Sequence, residues 1–393
     1  MVSSQLSMGL RSRRLHLASL AAVACLCTPA VVRAQEETVS IPVSTYEDLL
    51  NRLDSLESRV SRTERRSAPV RTNGTKTSEG GYFAAYELAV LAPVYSNSTA
   101  FYTHDTVPST PESAVLTEFG WNLEASHRFE LGYLSPSTNL GWRARYWFFD
   151  GGASETSAAD VDVKIGVADD PDIALDTITA GDPDFLQANA STAIDVVDFE
   201  AFSKRFVYSN QVTFSGGVRY ANIQHNYAGF DVDPTIAAPN NIQTALLTDF
   251  NFEGVGPTVS LASRRKIGCS CWSWNAEGRT SLLFGQGDAR WDRIGNSGAG
   301  TPLDPVGNSD VITQDNDLRI VPVAELRLGL DYRRALGSTV FEFGTGAEGQ
   351  VWINGGTPMF GGQDGATDSD SITSPWTEDL GFIGFYLRGS ARY

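Results

Sequence analysis

The sequence predicts an all-β fold, an antiparallel transmembrane β-barrel of about 10–12 strands preceded by a short N-terminal periplasmic helix or coiled coil. Three observations lead to this prediction. Apolar and polar residues alternate in many segments after residue 80, short and long connections between these segments alternate, and the number of segments is even. A soluble β-sandwich is the less favoured alternative, because it needs no long loops on one side only.

The composition excludes a nucleic-acid-binding protein. The 393 residues include 30 Lys and Arg against 47 Asp and Glu, a formal net charge of −17. Binding to phosphates requires a basic face, so we expect no nucleic-acid partner. Four His and four Cys leave little material for metal clusters, and we expect neither a metal nor a cofactor.

Residues 1–34 are predicted to be a signal peptide. Three arginines near the start precede an apolar stretch over residues 15–27, and cleavage is expected after Ala34. A lipoprotein signal that ends at Cys25 is a less favoured alternative. No later segment has 18 consecutive apolar residues, so we expect the mature chain to enter a membrane only as strands.

Residues 35–66 are predicted to form a periplasmic helical segment, and the polar, aperiodic residues 67–80 a linker. The helical segment fits either one amphipathic helix on its own domain or a coiled coil over 44–63 that joins subunits into a homo-oligomer. Its apolar residues recur at alternating spacings of 3 and 4, which is a heptad seam: Tyr46, Leu49, Leu53, Leu56 and Val60.

Residues 81–393 are predicted to form the barrel. Leu326 and Leu328, for example, alternate with Glu325 and Arg327, which gives a strand one apolar and one polar face. Ten runs of this kind are present: 81–92, 114–134, 140–150, 191–204, 211–227, 247–264, 271–286, 316–333, 338–353 and 376–392.

The alternation also assigns side chains to the two faces of the barrel wall, because lipid requires apolar side chains outside. Trp121 and Leu123 are assigned to the lipid face, and Glu253 falls there too, so a register error or a bulge is expected near it. Ten charged residues are candidates for lining a pore: Arg143, Arg145, Arg219, Glu277, Arg279, Glu325, Arg327, Glu342, Glu348 and Arg388. Eight more share their face: Glu87, Glu124, Arg128, Glu130, Asp198, Glu200, Asp331 and Arg392.

The acidic charge is concentrated in the long connections. These carry 21 acidic and three basic residues, a net charge of −18, whereas the short turns and their flanks carry seven basic residues. Because bacterial barrels have long external loops and short periplasmic turns, the external mouth is expected to be acidic and to favour cations. A solvated loop is favoured over a Ca²⁺ site for the densest part of this acidic external loop: Asp160, Asp162, Asp169, Asp170, Asp172 and Asp176.

Cys269 and Cys271 are the only cysteines outside the signal peptide. In an oxidising compartment this pair could form a disulfide in a small strained ring, pair between chains or stay reduced. We favour a local redox or structural feature without a catalytic role.

Several segments resemble the Legionella-type pore-forming outer-membrane protein family, most closely its planctomycete members. They are GWRARYW at 141–147, SGGVRYA at 215–221, FEGVGPTV at 252–259, RTSLLFG at 279–285, IVPV at 320–323 followed by Glu325, and EGQVW at 348–352. The resemblance covers about 81–393. It implies an outer-membrane barrel that forms a pore, without cofactor or catalysis, and it places the motif arginines of the family at Arg143, Arg145, Arg219 and Arg279.

Three functions follow as hypotheses. The favoured one is a porin-like, non-enzymatic barrel in outer-membrane lipid that passes ions or small solutes, with cations favoured. The alternative is a structural or adhesive barrel whose lumen is sealed by salt bridges, since barrels of about eight strands are filled by their own side chains. A barrel-embedded hydrolase is less favoured: His104 with Asp105, and His225, lie near the external rim, but no nucleophile motif accompanies them.

Overall fold

The computed structural model of the protein describes most of the predicted barrel region. It covers residues 80–104, 114–157, 163–164, 184–207, 210–298, 300–306, 309–358 and 378–393. The predicted signal peptide, helical segment and linker up to residue 79 lie outside the described residues, as do the acidic-loop aspartates Asp160 to Asp176. Within the described part, no helix is long and apolar enough to cross a membrane.

Ten antiparallel strands close into one barrel. They are β1 (Gly81–Tyr95), β4 (Glu124–Leu134), β5 (Leu140–Thr156), β7 (Phe185–Val207), β8 (Asn210–Val232), β9 (Ile242–Lys266), β10 (Trp272–Gly295), β11 (Ser309–Leu336), β12 (Thr339–Trp352) and β13 (Leu380–Arg392). Three short strands form a separate sheet: β2 (Thr99–His104), β3 (Ala114–Glu118) and β6 (Val163–Lys164). Neighbours in the barrel follow the order β1-β13-β12-β11-β10-β9-β8-β7-β5-β4, and β4 pairs back with β1. The predicted barrel of 10–12 strands is therefore confirmed, with ten strands.

The two ends of the barrel differ in their connections. The short-turn end carries the turns at 135–139, 208–209, 267–271 and 337–338, together with the start of β1 and the end of β13. The long-loop end carries the other connections, which include β2, β3 and β6. Arg265, Lys266 and Arg334 are exposed at the short-turn end, as the distribution of charge along the sequence predicts.

A band of apolar side chains surrounds the barrel from the short-turn end to about its middle. Such a band on a closed barrel is the surface that bilayer hydrocarbon requires, and it is about 25 Å tall in outer-membrane barrels. Its most exposed members include Phe199, Phe214, Leu261, Phe343, Ile383 and Phe385.

Glu253 marks the outer border of this band. Its side chain faces outward and accepts a hydrogen bond of 2.9 Å from the Tyr220 hydroxyl. It pairs in regular register with Asn222 on β8, which in turn pairs with the outward, exposed Asp195 on β7. The expected register error or bulge at Glu253 is therefore wrong: the outward face becomes polar here because the apolar band has ended.

The predicted strand 114–134 is two strands. The chain leaves β3 at Glu118 and enters β4 only at Glu124. Phe119 and Trp121 in the interval pack into the long-loop end of the barrel, with Phe119 buried. The assignment of Trp121 to the lipid face is therefore wrong. The strand is interrupted where these two rings turn into the mouth of the barrel.

Strands β7 to β11 are longer than predicted, with 23 to 28 residues each. The prediction followed strands with an apolar outward face and a polar inward face. Beyond the apolar band this arrangement reverses while pairing continues, since inward residues such as Ile223 are apolar and buried and outward ones such as Gln224 are polar and exposed. Asn226 and Asp249, for example, are directly paired between β8 and β9 beyond this border.

Tyr386 lies across a glycine notch in the barrel wall. Gly329, Gly346 and Tyr386 are side by side on β11, β12 and β13. The Tyr386 hydroxyl donates to Asn275 Oδ1 at 3.1 Å, and the Arg327 guanidinium lies 4.2 Å from the centre of the tyrosine ring. A β-carbon on Gly346 would overlap the Leu328 carbonyl oxygen and lie 2.8 Å from Tyr386 Cε1.

We therefore predict that Gly346→Ala lowers the free energy of unfolding by about 1–3 kcal/mol, through overpacking. The matched control is Gly278→Ala, where a β-carbon meets nothing within 4 Å. That variant should stay within about 0.5 kcal/mol of the parent. Urea unfolding of the protein refolded in detergent, monitored by the loss of heat-modifiable migration on gels, measures both free energies. Equal losses in the two variants would contradict the close packing of Tyr386 against Gly346.

Candidate functional site

The candidate site is the interior of the barrel, where all ten pore-lining candidates point. In the half nearer the short turns, seven arginines and seven carboxylates form an ion-pair layer with no net charge. Its members are Glu87, Arg128, Glu130, Arg143, Arg145, Asp198, Glu200, Arg219, Glu277, Arg279, Glu325, Arg327, Glu348 and Arg388. Glu342, the remaining candidate, pairs with Arg264 at 2.6 Å closer to the short turns.

One group within the ion-pair layer joins distant strands. Arg128 Nη1 on β4 donates to Glu87 Oε1 on β1 at 2.6 Å and to Glu348 Oε2 on β12 at 2.6 Å. Arg327 on β11 also donates to Glu87, and its Nε lies 3.4 Å from Glu348 Oε2. These four side chains are almost fully buried, and their ion pairs connect β1 and β4 with β11 and β12 across the lumen.

A second group occupies the opposite wall. Arg219 Nε lies 2.7 Å from Asp198 Oδ1, and the same guanidinium donates to Glu325. Arg143 Nε donates to Glu200 Oε2 at 2.6 Å, and Arg279 donates to the other oxygen of Glu200. Each buried charge here meets an opposite charge, as a low-dielectric interior requires.

An apolar layer lies above the ion-pair layer, toward the long-loop end. Its rings pack edge to face inside the lumen, with Phe382 4.8 Å from Phe149 and 5.9 Å from Trp147, measured between ring centres. The Arg128 guanidinium lies 5.2 Å from the Trp147 ring centre, so the two layers touch. The other large members of the apolar layer are all buried and include Ile223, Phe250, Phe252, Leu283, Trp291 and Trp352.

Sequence alternation did not identify the apolar layer. The signal that could have found it is the uninterrupted run from Trp147 to Phe149, because consecutive apolar residues indicate a strand that is apolar on both faces. Trp147 and Phe149 point inward and are buried, while Phe148 faces outward.

Loop segments close the long-loop end above the apolar layer. We call the segments 97–101, 119–121 and 355–358 the mouth plug. Tyr227 donates a hydrogen bond of 2.9 Å to the Ala100 carbonyl, and Thr248 donates one of 3.1 Å to the Pro358 carbonyl. Thr357 joins two of the segments by donating to the Asn97 carbonyl at 2.9 Å.

His225, a candidate for hydrolysis, is buried beneath the mouth plug. Its Nε2 lies 3.1 Å from the Gly355 carbonyl oxygen and its Nδ1 lies 2.9 Å from Thr192 Oγ1. Because a carbonyl only accepts, Nε2 carries the proton and Nδ1 accepts from the Thr192 hydroxyl. Thr192 also hydrogen-bonds to the Tyr95 hydroxyl. The side chain of His104 and the whole of Asp105 lie outside the described residues.

A cavity of about 170 Å³, which we call the vestibule, opens at the short-turn end below the ion-pair layer. Its walls combine charged residues with Phe83, Phe202 and Tyr386. A pocket of about 10 Å³ lies between the vestibule and the ion-pair layer, and it shares Glu130, Arg327 and Arg388 with the vestibule. That is about the space of one water molecule.

The remaining candidate groups lie elsewhere. Cys269 and Cys271 are unbonded and exposed in the turn between β9 and β10, so a disulfide there stays a prediction. Among the residues that the structure describes, no three His, Cys, Asp or Glu side chains are grouped so as to hold a metal ion.

Comparisons with solved structures find several barrels of low similarity. The outer membrane protease OmpT from Escherichia coli is 10% identical with a TM-score of 0.38, over 81% of this chain and 97% of that one. A major outer membrane protein from Thermus thermophilus is 14% identical with a TM-score of 0.25, over 79% and 98%. The Ralstonia pickettii toluene transporter TbuX is 10% identical with a TM-score of 0.28, over 80% and 90%. Scores of this size carry no inference about activity.

The comparison with protein families identifies the family of the chain. No curated protein matches the chain significantly. The family described as "Legionella pneumophila major outer membrane protein precursor" matches residues 81–392, which is the whole barrel. The chain therefore belongs to this family, and it is a β-barrel protein of the outer membrane.

Proposed function

We propose that the protein is a sealed outer-membrane barrel that anchors long hairpins and acidic loops at the cell surface. The observation that supports this proposal best is the stacking of the ion-pair layer, the apolar layer and the mouth plug across the whole lumen. Passage of water would require charge pairs, aromatic rings and loop segments to separate together.

The proposed orientation follows from the connections. Outer-membrane barrels have short periplasmic turns and longer external loops. We therefore place the short-turn end, with its exposed Arg265, Lys266 and Arg334, in the periplasm. The acidic connections then form the external surface, where they would attract cations and basic partners.

A porin-like pore for ions or small solutes, with cations favoured, is the second candidate. Two observations favour it: the resemblance to a pore-forming family, and the vestibule, which already opens one end of the barrel. In this proposal the mouth plug and the apolar layer move aside in an open state. The plug consists of segments that lie outside the ten barrel strands, so its displacement would leave the wall intact.

We also propose that the barrel has no hydrolytic activity. Inside the described lumen, Thr192 and His225 form a hydroxyl–imidazole pair, and both side chains are fully buried. A substrate could not reach this pair without displacement of the mouth plug, since Gly355 covers His225. If His225→Ala abolished any lipid or peptide hydrolysis by the purified protein, this part of the proposal would be wrong.

We predict that the refolded full-length protein shows no single-channel steps above the detergent control in a planar bilayer. A general porin in the same bilayer is the positive control. Regular steps would support the pore instead, and the reversal potential under a salt gradient would then test the acidic mouth. A preference for cations is expected in that case, and an anion-selective pore would contradict it.

A dry ion-pair layer also has a thermodynamic consequence. Arg219→Met leaves the buried Asp198 and Glu325 without this partner, so we predict a loss of about 3–5 kcal/mol in the free energy of unfolding. The matched control is Arg290→Met, since Arg290 pairs with Asp292 on the surface and 59% of its side chain is exposed. It should cost far less than Arg219→Met, because solvent-exposed ion pairs contribute little to stability. Urea unfolding measures both, and an equally small loss at Arg219 would indicate a hydrated lumen.

A further inference from the structure

The outer surface of the barrel carries two arginines close together at the short-turn end. Side chains alternate between the faces of a strand, so Arg265 lies on the same outward face of β9 as the exposed Leu261. Arg334 lies in the same way on the outward face of β11, which it shares with the exposed Leu328. Both arginines are exposed, and neither forms an ion pair or a side-chain hydrogen bond with a residue that the structure describes.

Trp272 lies between these two arginines. It begins β10, the strand between β9 and β11, and it pairs directly with Tyr332 on β11. Arg334 follows Tyr332 by two residues on β11, and Arg265 pairs with Trp274, which follows Trp272 by two residues. Each arginine is therefore a diagonal neighbour of Trp272 on the outward face, with about 7–8 Å between Cα atoms.

We call Arg265, Trp272, Tyr332 and Arg334 the lipid-facing cluster. The centres of its two aromatic rings are 5.2 Å apart, and Trp272 is 46% exposed on the bilayer side. Indole and phenol rings combine an apolar body with one polar group, and they are enriched at the level of lipid headgroups. The cluster therefore presents an aromatic surface with a positive charge on either side of it.

The surroundings of the lipid-facing cluster fit a lipid molecule better than a soluble anion. Toward the middle of the barrel, the outward face continues with Leu261, Trp274 and Leu328, which are exposed on the apolar band. Beyond the strand ends, the adjoining turn at 267–271 contains no acidic residue that would compete for the arginines. Acyl chains can therefore lie on the apolar band while guanidinium groups, which bind phosphate oxygens with two parallel donors, hold the phosphate.

We propose that the lipid-facing cluster binds the headgroup of an anionic phospholipid. The phosphate lies between Arg265 and Arg334, beside the Trp272 ring, and the acyl chains lie along β9 to β11. In the orientation proposed above, this lipid belongs to the periplasmic leaflet. The site requires only a barrel in the outer membrane, which the family and the fold establish, and it is independent of the sealing of the lumen.

Quenching of tryptophan fluorescence by brominated lipids tests the proposal. The refolded full-length protein carries Trp142→Phe, which removes an exposed tryptophan on β5, and it is placed in phosphatidylcholine vesicles. Phosphatidylglycerol with brominated acyl chains is added in one series and brominated phosphatidylcholine in the other, because bromine quenches tryptophans in its immediate vicinity. We expect phosphatidylglycerol to bind at least about fivefold more tightly, since one basic residue near a membrane surface contributes about that factor. Equal affinity for the two lipids would overturn the proposal.

Substitutions locate the binding site. Arg265→Gln with Arg334→Gln should reduce the preference for phosphatidylglycerol to less than about twofold. The matched control, Arg205→Gln with Lys266→Gln, removes the same charge from two other exposed residues at the short-turn end and should retain the preference. Equal losses in the two double variants would contradict a site at the cluster, because they would indicate general attraction by the basic end. Heat-modifiable migration verifies folding, and Arg334→Gln alone should already lower the preference if the double variant does not fold.

Discussion

Charge pairing inside a narrow closed wall is the constraint on which the rest of this structure depends. A ten-strand barrel leaves little room for water, so an inward charge must find its partner among other side chains. The ion-pair layer satisfies this with equal numbers of arginines and carboxylates, and its bridges join strands that are far apart in sequence, such as β4 and β12 through Arg128 and Glu348. Strand register is thereby fixed from inside, because a shift by one residue would send these charges into lipid.

The layers above and below follow from the same constraint. Beyond the apolar band the outward face meets water and becomes polar, so the inward face can take over the burial of rings such as Phe149 and Phe382. Strands β7 to β11 thus have two parts. The part nearer the short turns is apolar outside and charged inside, as in a membrane barrel, and the part beyond the apolar band is polar outside and apolar inside, as in a soluble barrel. The vestibule is the exception, because it is a cavity of about 170 Å³ that opens at the short-turn end.

Alternation in the sequence was enough to predict the barrel, its strand number and the inward direction of residues such as Arg219 and Glu325, because lipid imposes one rule on every strand within the band. It failed at Trp121 and Glu253, where that rule no longer applies: Trp121 belongs to a loop that enters the lumen, and Glu253 stands at the border of the band. Which inward charges pair with which depends on strand neighbours around the closed wall. The bridge between Arg279 and Glu200, two positions from different hairpins, has no local signature.

The unequal heights of the strands give the wall a low side and a high side. β12, β13, β1 and β4 end near the level of Trp352, Leu380 and Tyr95, which are paired neighbours, while β7 to β11 continue well beyond it. All three segments of the mouth plug start from the low side and lean against the high one, where Tyr227 holds Ala100. Among the described residues, the plug is therefore supported laterally from one side, where the tall strands extend beside it. Its stability depends on those strands, although none of its segments begins or ends on one of them.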